Sequence, residues 1–193
     1  MNTIQLEFEE LEILRPKKRW KLYFVIVAEH PDDADKMVLT YLPQIEPFFQ
    51  LKPRADNKLY FEPKDAQGAD GLFVLERKMP HERILRARVY LRHSRKSLRN
   101  AGNFLKEIEK ELGGDALGLI SDILGTTGNW LVISRKALPM IGSVLNKVKD
   151  RDFGVVTMDE EFGPEFETQE ELDRTNNFST GDAKIVWTWS VKE

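Results

Sequence analysis

The spacing of apolar residues changes twice along this chain, and that change constrains the fold more than any other feature. Residues 3–92 alternate in the manner of strands, residues 97–149 carry stripes at helical spacing, and residues 153–191 alternate again. A strand sends successive side chains to opposite faces, whereas a helix gathers every third or fourth onto one side, so one segment cannot satisfy both patterns. The prediction is a mostly-β (α+β) fold: an antiparallel β-sandwich from residues 1–93 and 153–193, with an inserted helical subdomain at 94–150. Neither half looks closable alone, so residues 1–193 read as a single domain.

Ile4, Leu6 and Phe8 alternate with polar residues, and after Glu9-Glu10 the phase moves to Leu11 and Ile13, the mark of a bulge or a strand break. In residues 19–29, Trp20, Leu22, Phe24, Ile26 and Ala28 share one face and Tyr23, Val25 and Val27 the other. Apolar residues on both faces predict a central strand covered on both sides. Residues 30–35 form a loop, 37–42 a strand, and shorter strands are expected around 48–51, 58–62 and 72–77, separated by Pro and Gly. In residues 84–92, Leu85, Ala87, Val89 and Leu91 point to the core, and Arg86, Arg88, Tyr90 and Arg92 point away from it. Short strands with turn signals at this spacing suggest a sandwich.

Ser94 or Ser97 can cap a first helix whose stripe is Leu98, Ala101, Leu105, Ile108 and Leu112, ending at Gly113-Gly114. Asp115 opens a short second helix. A third is expected over residues 127–149, kinked or split by Pro139 and carrying Trp130, Leu131, Ile133, Ile141, Val144, Leu145 and Val148. These helices are expected to cover one face or one end of the sandwich. Residues 159–173 read as an acidic loop pinned by Phe162 and Phe166, and the last strand puts Ile185, Trp187, Trp189 and Val191 on one face.

This order of features resembles a C2 domain. The strand at 20–28, an Asp-bearing loop and Lys36-Met-Val-Leu-Thr-Tyr-Leu42 are similar to that family's opening, and Leu85-Arg-Ala-Arg-Val-Tyr-Leu91 is similar to the strand leading to its third ligand loop. Asp152-Phe153-Gly154 followed by Val155-Val156-Thr157-Met158 is similar to its Asp-Phe-Ile-Gly segment. The resemblance covers strand order over two thirds of the chain and implies that the helices sit in an expanded loop at one end. Calcium-binding members follow the later strand with aspartates, whereas here the sequence reads Arg92-His93-Ser94-Arg95-Lys96.

Several function classes lose support from composition. The chain has no cysteine, which excludes disulfides and thiolate chemistry, and its net charge of −3 gives no global reason to expect nucleic acid. The start of the chain lacks a basic and apolar leader, and no run approaches the roughly 20 apolar residues of a membrane span, so the expected location is cytoplasmic. His30, His81 and His93 have no metal-ligand spacing, and no nucleophile elbow or phosphate loop occurs.

Four patches remain. Residues 83–106 hold eight cations and no acid; among them Arg86, Arg88, Arg92, Arg95, Lys96 and Arg99, with Tyr90, are the candidate partner contacts, because guanidinium groups grip oxyanions in pairs. The plain alternative is a solvated face, or one paired with the acidic run 159–173. Asp32, Asp33 and Asp35 with Asp150, Asp152 and Asp159 are candidate calcium ligands if they converge, and turn chemistry otherwise. The helical insertion, rich in Gly and large apolar residues, is either packed or a contact surface. The expected function is a non-catalytic binding or assembly module, with a protein partner or a second copy. The alternative is peripheral binding to anionic membranes; an enzyme of unidentified class ranks third.

Overall fold

Strand β1 (Thr3–Ile13) turns the first pattern into a layer. Ile4, Leu6, Phe8, Leu11 and Ile13 are all buried, and its pairing with the last strand slips between Phe8 and Glu10, where the phase changes. The computed structural model describes residues 2–15, 19–43, 48–51, 57–61, 71–95, 101–113 and 130–192. The further elements are β2 (Trp20–Glu29), β3 (Lys36–Leu42), β4 (Phe49–Leu51), β5 (Lys58–Tyr60), β6 (Leu72–Lys78), β7 (Ile84–Leu85), β8 (Ala87–His93), α1 (Ala101–Leu112), β9 (Trp130–Ser134), a 3-10 turn (Arg135–Ala137), α2 (Leu138–Lys147), β10 (Arg151–Thr157), β11 (Glu160–Glu161), α3 (Glu165–Thr168), β12 (Glu171–Asn177) and β13 (Ala183–Lys192).

They form a mostly antiparallel β-sandwich with a small helical part. The first sheet runs β12-β13-β1, with β5 and β6 both paired to β1; the second runs β10-β8-β2-β3-β9, with β4 also on β2. The core between the sheets is built from one face of each strand: Leu6 and Phe8, Phe24 and Ile26, Val89 and Leu91, Trp187 and Trp189. Fully burying such side chains stabilises the fold by roughly 1.5–3 kcal/mol apiece.

The other face of the second sheet is covered by helices. Phe104, Ile108 and Leu112 of α1 and Ile141, Val144 and Leu145 of α2 pack on Tyr23, Val25, Val27, Leu39 and Tyr41. Strand β2 is therefore buried on both faces, as its two apolar registers predict. The stacked pair Tyr23–Tyr41, with ring centroids 5.0 Å apart, receives the edge of Phe104, a core residue outside the expected stripe. Of that stripe, Ala101, Leu105, Ile108 and Leu112 are buried, and Leu98 lies outside the described residues. Gly113 closes α1 with a left-handed φ of 77°.

Three expectations need correction. Residues 130–134 are strand β9 rather than the start of a helix: Trp130-Leu-Val-Ile is a β-favouring run, and pairing with β3 gives its backbone a sheet edge. Pro139 does not kink a helix but lies in the first turn of α2, where its missing N–H has no partner to lose. The acidic segment is not a plain loop, since β11, α3 and the start of β12 lie in it. Phe162 and Phe166 do anchor it, with rings 5.0 Å apart and Phe162 edge-on to Trp189. The expected second helix falls outside the described residues.

Candidate functional site

Two of the three sheet-end arginines described here stand where strands of the second sheet begin or end. Residue 86 separates β7 from β8, and its outward phase sends Arg86 toward the last residue of β2, Glu29. Arg86 Nη1 donates to Glu29 Oε1 at 3.0 Å, and its amide donates to Oε2 at 3.3 Å. Arg135, the first residue after β9, brings Nη2 to the same oxygen at 3.5 Å. Arg77, near the end of β6, donates through Nη1 to the Glu29 carbonyl at 2.8 Å and through Nη2 to the Pro31 carbonyl at 3.3 Å.

Three guanidinium groups from three different elements thus meet around one residue. The Glu29 side chain is only 12% exposed, whereas those of Arg86 and Arg135 are 43% and 44% exposed. Backbone contacts hold the arrangement. Arg135 Nη1 donates to the Ala34 carbonyl, and its amide to that of Asp35 at 2.7 Å, so the β2–β3 loop is latched to β9. The hydrogen bond to Glu29, and then that carboxylate's charge, hold the Arg86 guanidinium above its usual range. Burial pushes Arg77 the other way, against the opposing charges of Glu29 and Asp32. Asp32, Glu82 and Asp159 form an acidic rim near this end.

The basic strand does not present one continuous surface. Arg88 is half-buried and lies beside Tyr90, whose phenol is pushed up by burial. Arg92 is corrected outright: it points away from the sandwich core but is 1% exposed, because the C-terminal end of α2 descends over it. Tyr90 is buried under the same layer. Arg95 is exposed, its amide held by Asp150 Oδ1, while Lys96 and Arg99 lie outside the described residues.

The acidic segment borders the basic strand without covering its arginines. Strand β11 pairs with β7, Asp159 Oδ1 accepts from the Ala87 amide at 3.2 Å, and Glu167 reaches Arg83 at 3.7 Å. Glu160 instead takes Arg174 of its own segment in a bidentate pair at 2.9 and 3.1 Å.

The calcium candidates do not converge. The β2–β3 loop holding Asp32, Asp33 and Asp35 adjoins Glu29, whereas Asp150 and Asp152 adjoin His93, which pairs with Leu22 at the other end of β2. Those ends are separated by about 20 Å at strand rise. Three of these aspartates have local tasks. Asp33 accepts from the Asp35 amide and pairs with Lys36, which holds its carboxyl below the usual value; Asp152 accepts from the Gly154 amide; Asp150 accepts from the Tyr23 hydroxyl at 2.7 Å. Among the described residues no group of three or more His, Asp and Glu is placed to hold a metal. Adding calcium at millimolar concentration should leave the melting temperature unchanged in a thermal scan; a rise of several degrees would contradict this geometry.

Glu29, Arg77 and Arg135 escaped the sequence reading. Arg77 and Arg135 lie 48 and 106 residues after Glu29 in the chain, and no local pattern signals that these elements end at one place.

No family model matches the chain, and no curated protein matches its sequence. Among solved structures 11 chains match. One, "Structure of Drosophila C2-DSL-EGF1", is 7% identical, with 99% of this chain and 67% of that chain covered at a TM-score of 0.36. A likeness at that level carries no argument about family or function. No helix among the described residues is long and apolar enough to cross a membrane.

Proposed function

We propose that this chain is a non-catalytic binding module that holds an acidic polypeptide against the arginine-lined end of its second sheet. The observation that carries this reading is the meeting of Arg77, Arg86 and Arg135 on Glu29, with two of those guanidiniums half exposed. Guanidinium groups already anchored, Arg135 by the Ala34 carbonyl and Arg86 by the Glu29 carboxylate, lose little further freedom on binding, so an incoming oxyanion meets a prepared surface. The apolar faces of α1 and α2 are used on the sheet, which leaves the arginines rather than the helices as the contact. Of the histidines, His93 lies at the opposite end of β2, where its ring nitrogen accepts from the Lys21 amide, and His30 beside Glu29 uses Nδ1 to accept from the Asp32 amide at 3.2 Å.

A membrane surface fits this end less well. The acidic rim of Asp32, Glu82 and Asp159 opposes a sheet of anionic headgroups, and exposed Leu14, Tyr60 and Phe73 sit on the first sheet or its far end.

The test is fluorescence anisotropy of a labelled short poly-glutamate peptide titrated with the protein. Saturable binding is expected, weakened as salt rises from low to physiological strength. The double variant Arg86→Gln with Arg135→Gln should bind at least tenfold more weakly while keeping its circular dichroism spectrum. Binding that ignores both salt and the double variant would sink the proposal, as would no binding at all.

A further inference from the structure

We propose that this chain associates with itself head to tail, the end of the second sheet opposite Glu29 in one copy docking on the outer face of the first sheet in the next. Four cations carry the first of these surfaces. Arg19 precedes β2 and Lys21 lies within it, and the Ser94 amide, just before Arg95, donates to the Lys21 carbonyl at 2.8 Å. Arg151 pairs in register with His93, and its guanidinium lies over the rings of Trp20 and Phe153 at 5.4 and 5.8 Å. Arg19 and Arg95 are exposed, and Lys21 and Arg151 half-buried. The carboxylates beside them are already taken, Asp182 by Arg15, Asp152 by Arg92, and buried Asp150 by the Arg95 amide and the Tyr23 hydroxyl. Among the described residues, therefore, none of the four cations forms an ion pair, whereas at the other end Arg86 and Arg135 share the Glu29 carboxylate. Leu14, whose amide donates to the Asp182 carbonyl, adds an exposed apolar side chain here.

Strand register builds the second surface. Residues of β1 and β13 that alternate with Leu6, Phe8, Trp187 and Trp189 point away from the core. Pairing then sets Glu171, Ser190, Gln5 and Glu76 in one row across the first sheet, and Asp173, Thr188, Glu7 and Phe73 in the next. Glu76, Glu171 and Asp173 are exposed, and among the described residues none of them forms an ion pair. The lysines of this face are engaged elsewhere on it, Lys192 by Gln5 and Lys58 by Glu10. Phe73 places an exposed ring at the edge of the acidic rows.

Each surface supplies what the other lacks: unpaired cations against unpaired carboxylates, with an exposed apolar side chain on both. They do not meet within one molecule. Glu7 stands about 20 Å along β1 from Ile13, the strand residue next to the basic end. A second copy brings them together. Because the two surfaces differ, the contact is heterologous, and each copy in a pair keeps one surface open for another. Contacts between exposed charges of this kind weaken as salt rises.

The experiment is sedimentation velocity of the protein at rising concentration, in low and in high salt. The mass is expected to climb past that of the monomer at low salt and to return to it at high salt. Two neutral double variants separate the surfaces: Arg19→Gln with Arg95→Gln, and Glu76→Gln with Glu171→Gln. Each alone should associate about tenfold more weakly while keeping its circular dichroism spectrum. Mixed in equal amounts, they should form complexes that stop at the mass of a dimer, since one variant keeps only the acidic face and the other only the basic end. A monomer at every concentration would overturn the inference. So would association that ignores either double variant, or a mixture that yields no dimer. Binding of a persistently monomeric protein to phosphatidylserine vesicles or to a short oligonucleotide would also overturn it, and would assign the basic end to another polyanion. Neither Arg86 nor Arg135 takes part, so failure here leaves the acidic-polypeptide reading standing.

Discussion

Replacing Arg92 with methionine is expected to destabilise the protein by roughly 3–5 kcal/mol, because it removes the cationic partner of a buried polar cluster. Arg92 Nη2 donates to the carbonyls of Leu145, Val148 and Asp150 at 2.8, 3.2 and 3.1 Å, and Nη1 lies 3.3 Å from Asp152 Oδ1. Carbonyls at the end of a helix have no partner within the helix, and α2 ends here, so one guanidinium closes α2 and ties it to β8. Its positive charge also faces the negative end of the helix dipole. Methionine fills much of the same space but removes the donor from the Asp150 carbonyl and the second donor from the Leu145 and Val148 carbonyls, which keep only the Val148 and Asp150 amides, and it takes the cation from Asp152. The Arg92 Nε already lacks a partner, so the site tolerates one orphan donor and gains nothing from it. Lysine should recover less than half of the loss, since a single ammonium cannot span the same set of acceptors. Urea unfolding gives the size of the effect, and hydrogen exchange over residues 145–150 gives its place. A loss below about 1 kcal/mol would mean that water replaces the guanidinium there.

Arg92 also shows how far alternation reaches. Its phase is that of Arg86 and Arg88, and the sequence placed all three correctly on the side away from the sandwich core. Alternation names a face, not what covers it. Arg86 stands at the open end of the sheet and Arg92 under the last turn of α2, and only the packing of a segment some 50 residues later separates their fates. The same reasoning explains β9. Trp130-Leu-Val-Ile is apolar without a clear period, so either a helix or a strand accommodates it, and the choice was made by the free edge of β3 about 95 residues earlier. Where one strand carries its own evidence, as in β2 with two apolar faces or β1 with its shift of phase near Glu9-Glu10, sequence and structure agree to within one or two residues. The meeting of arginines at Glu29 had no such evidence, because convergence of strand ends is a property of topology alone.

Gly154→Ala is expected to cost roughly 2–4 kcal/mol, combining left-handed backbone strain with overpacking. Gly154 has φ of 95° and sits in the irregular step where the pairing of β10 with β8 slips between Asp152 and Val155. The turn joining β12 to β13 crosses directly over it. A Cβ at this position would stand 2.9 Å from the Thr180 amide nitrogen and 3.0 Å from that of Ser179, and would also collide with the Ser179 hydroxyl. Those groups cannot step aside cheaply, because the turn is bonded to β10 along its length. The Val155 amide donates to Ser179 Oγ at 3.0 Å, the Ser179 amide to the Val155 carbonyl at 3.1 Å, and the Thr180 hydroxyl to the Phe153 carbonyl at 2.7 Å. These bonds join a turn of the first sheet to an edge strand of the second, so pushing the turn away loosens the closure of the sandwich. Gly181 supplies the control within the same turn: its φ is 73°, but nothing lies within 4 Å of a Cβ built there. Gly181→Ala should therefore lose only the backbone strain, on the order of 1 kcal/mol. Urea midpoints measured for both variants separate the two contributions. Equal losses would mean that the turn yields to the methyl group and that the crossing is held less firmly than its hydrogen bonds indicate.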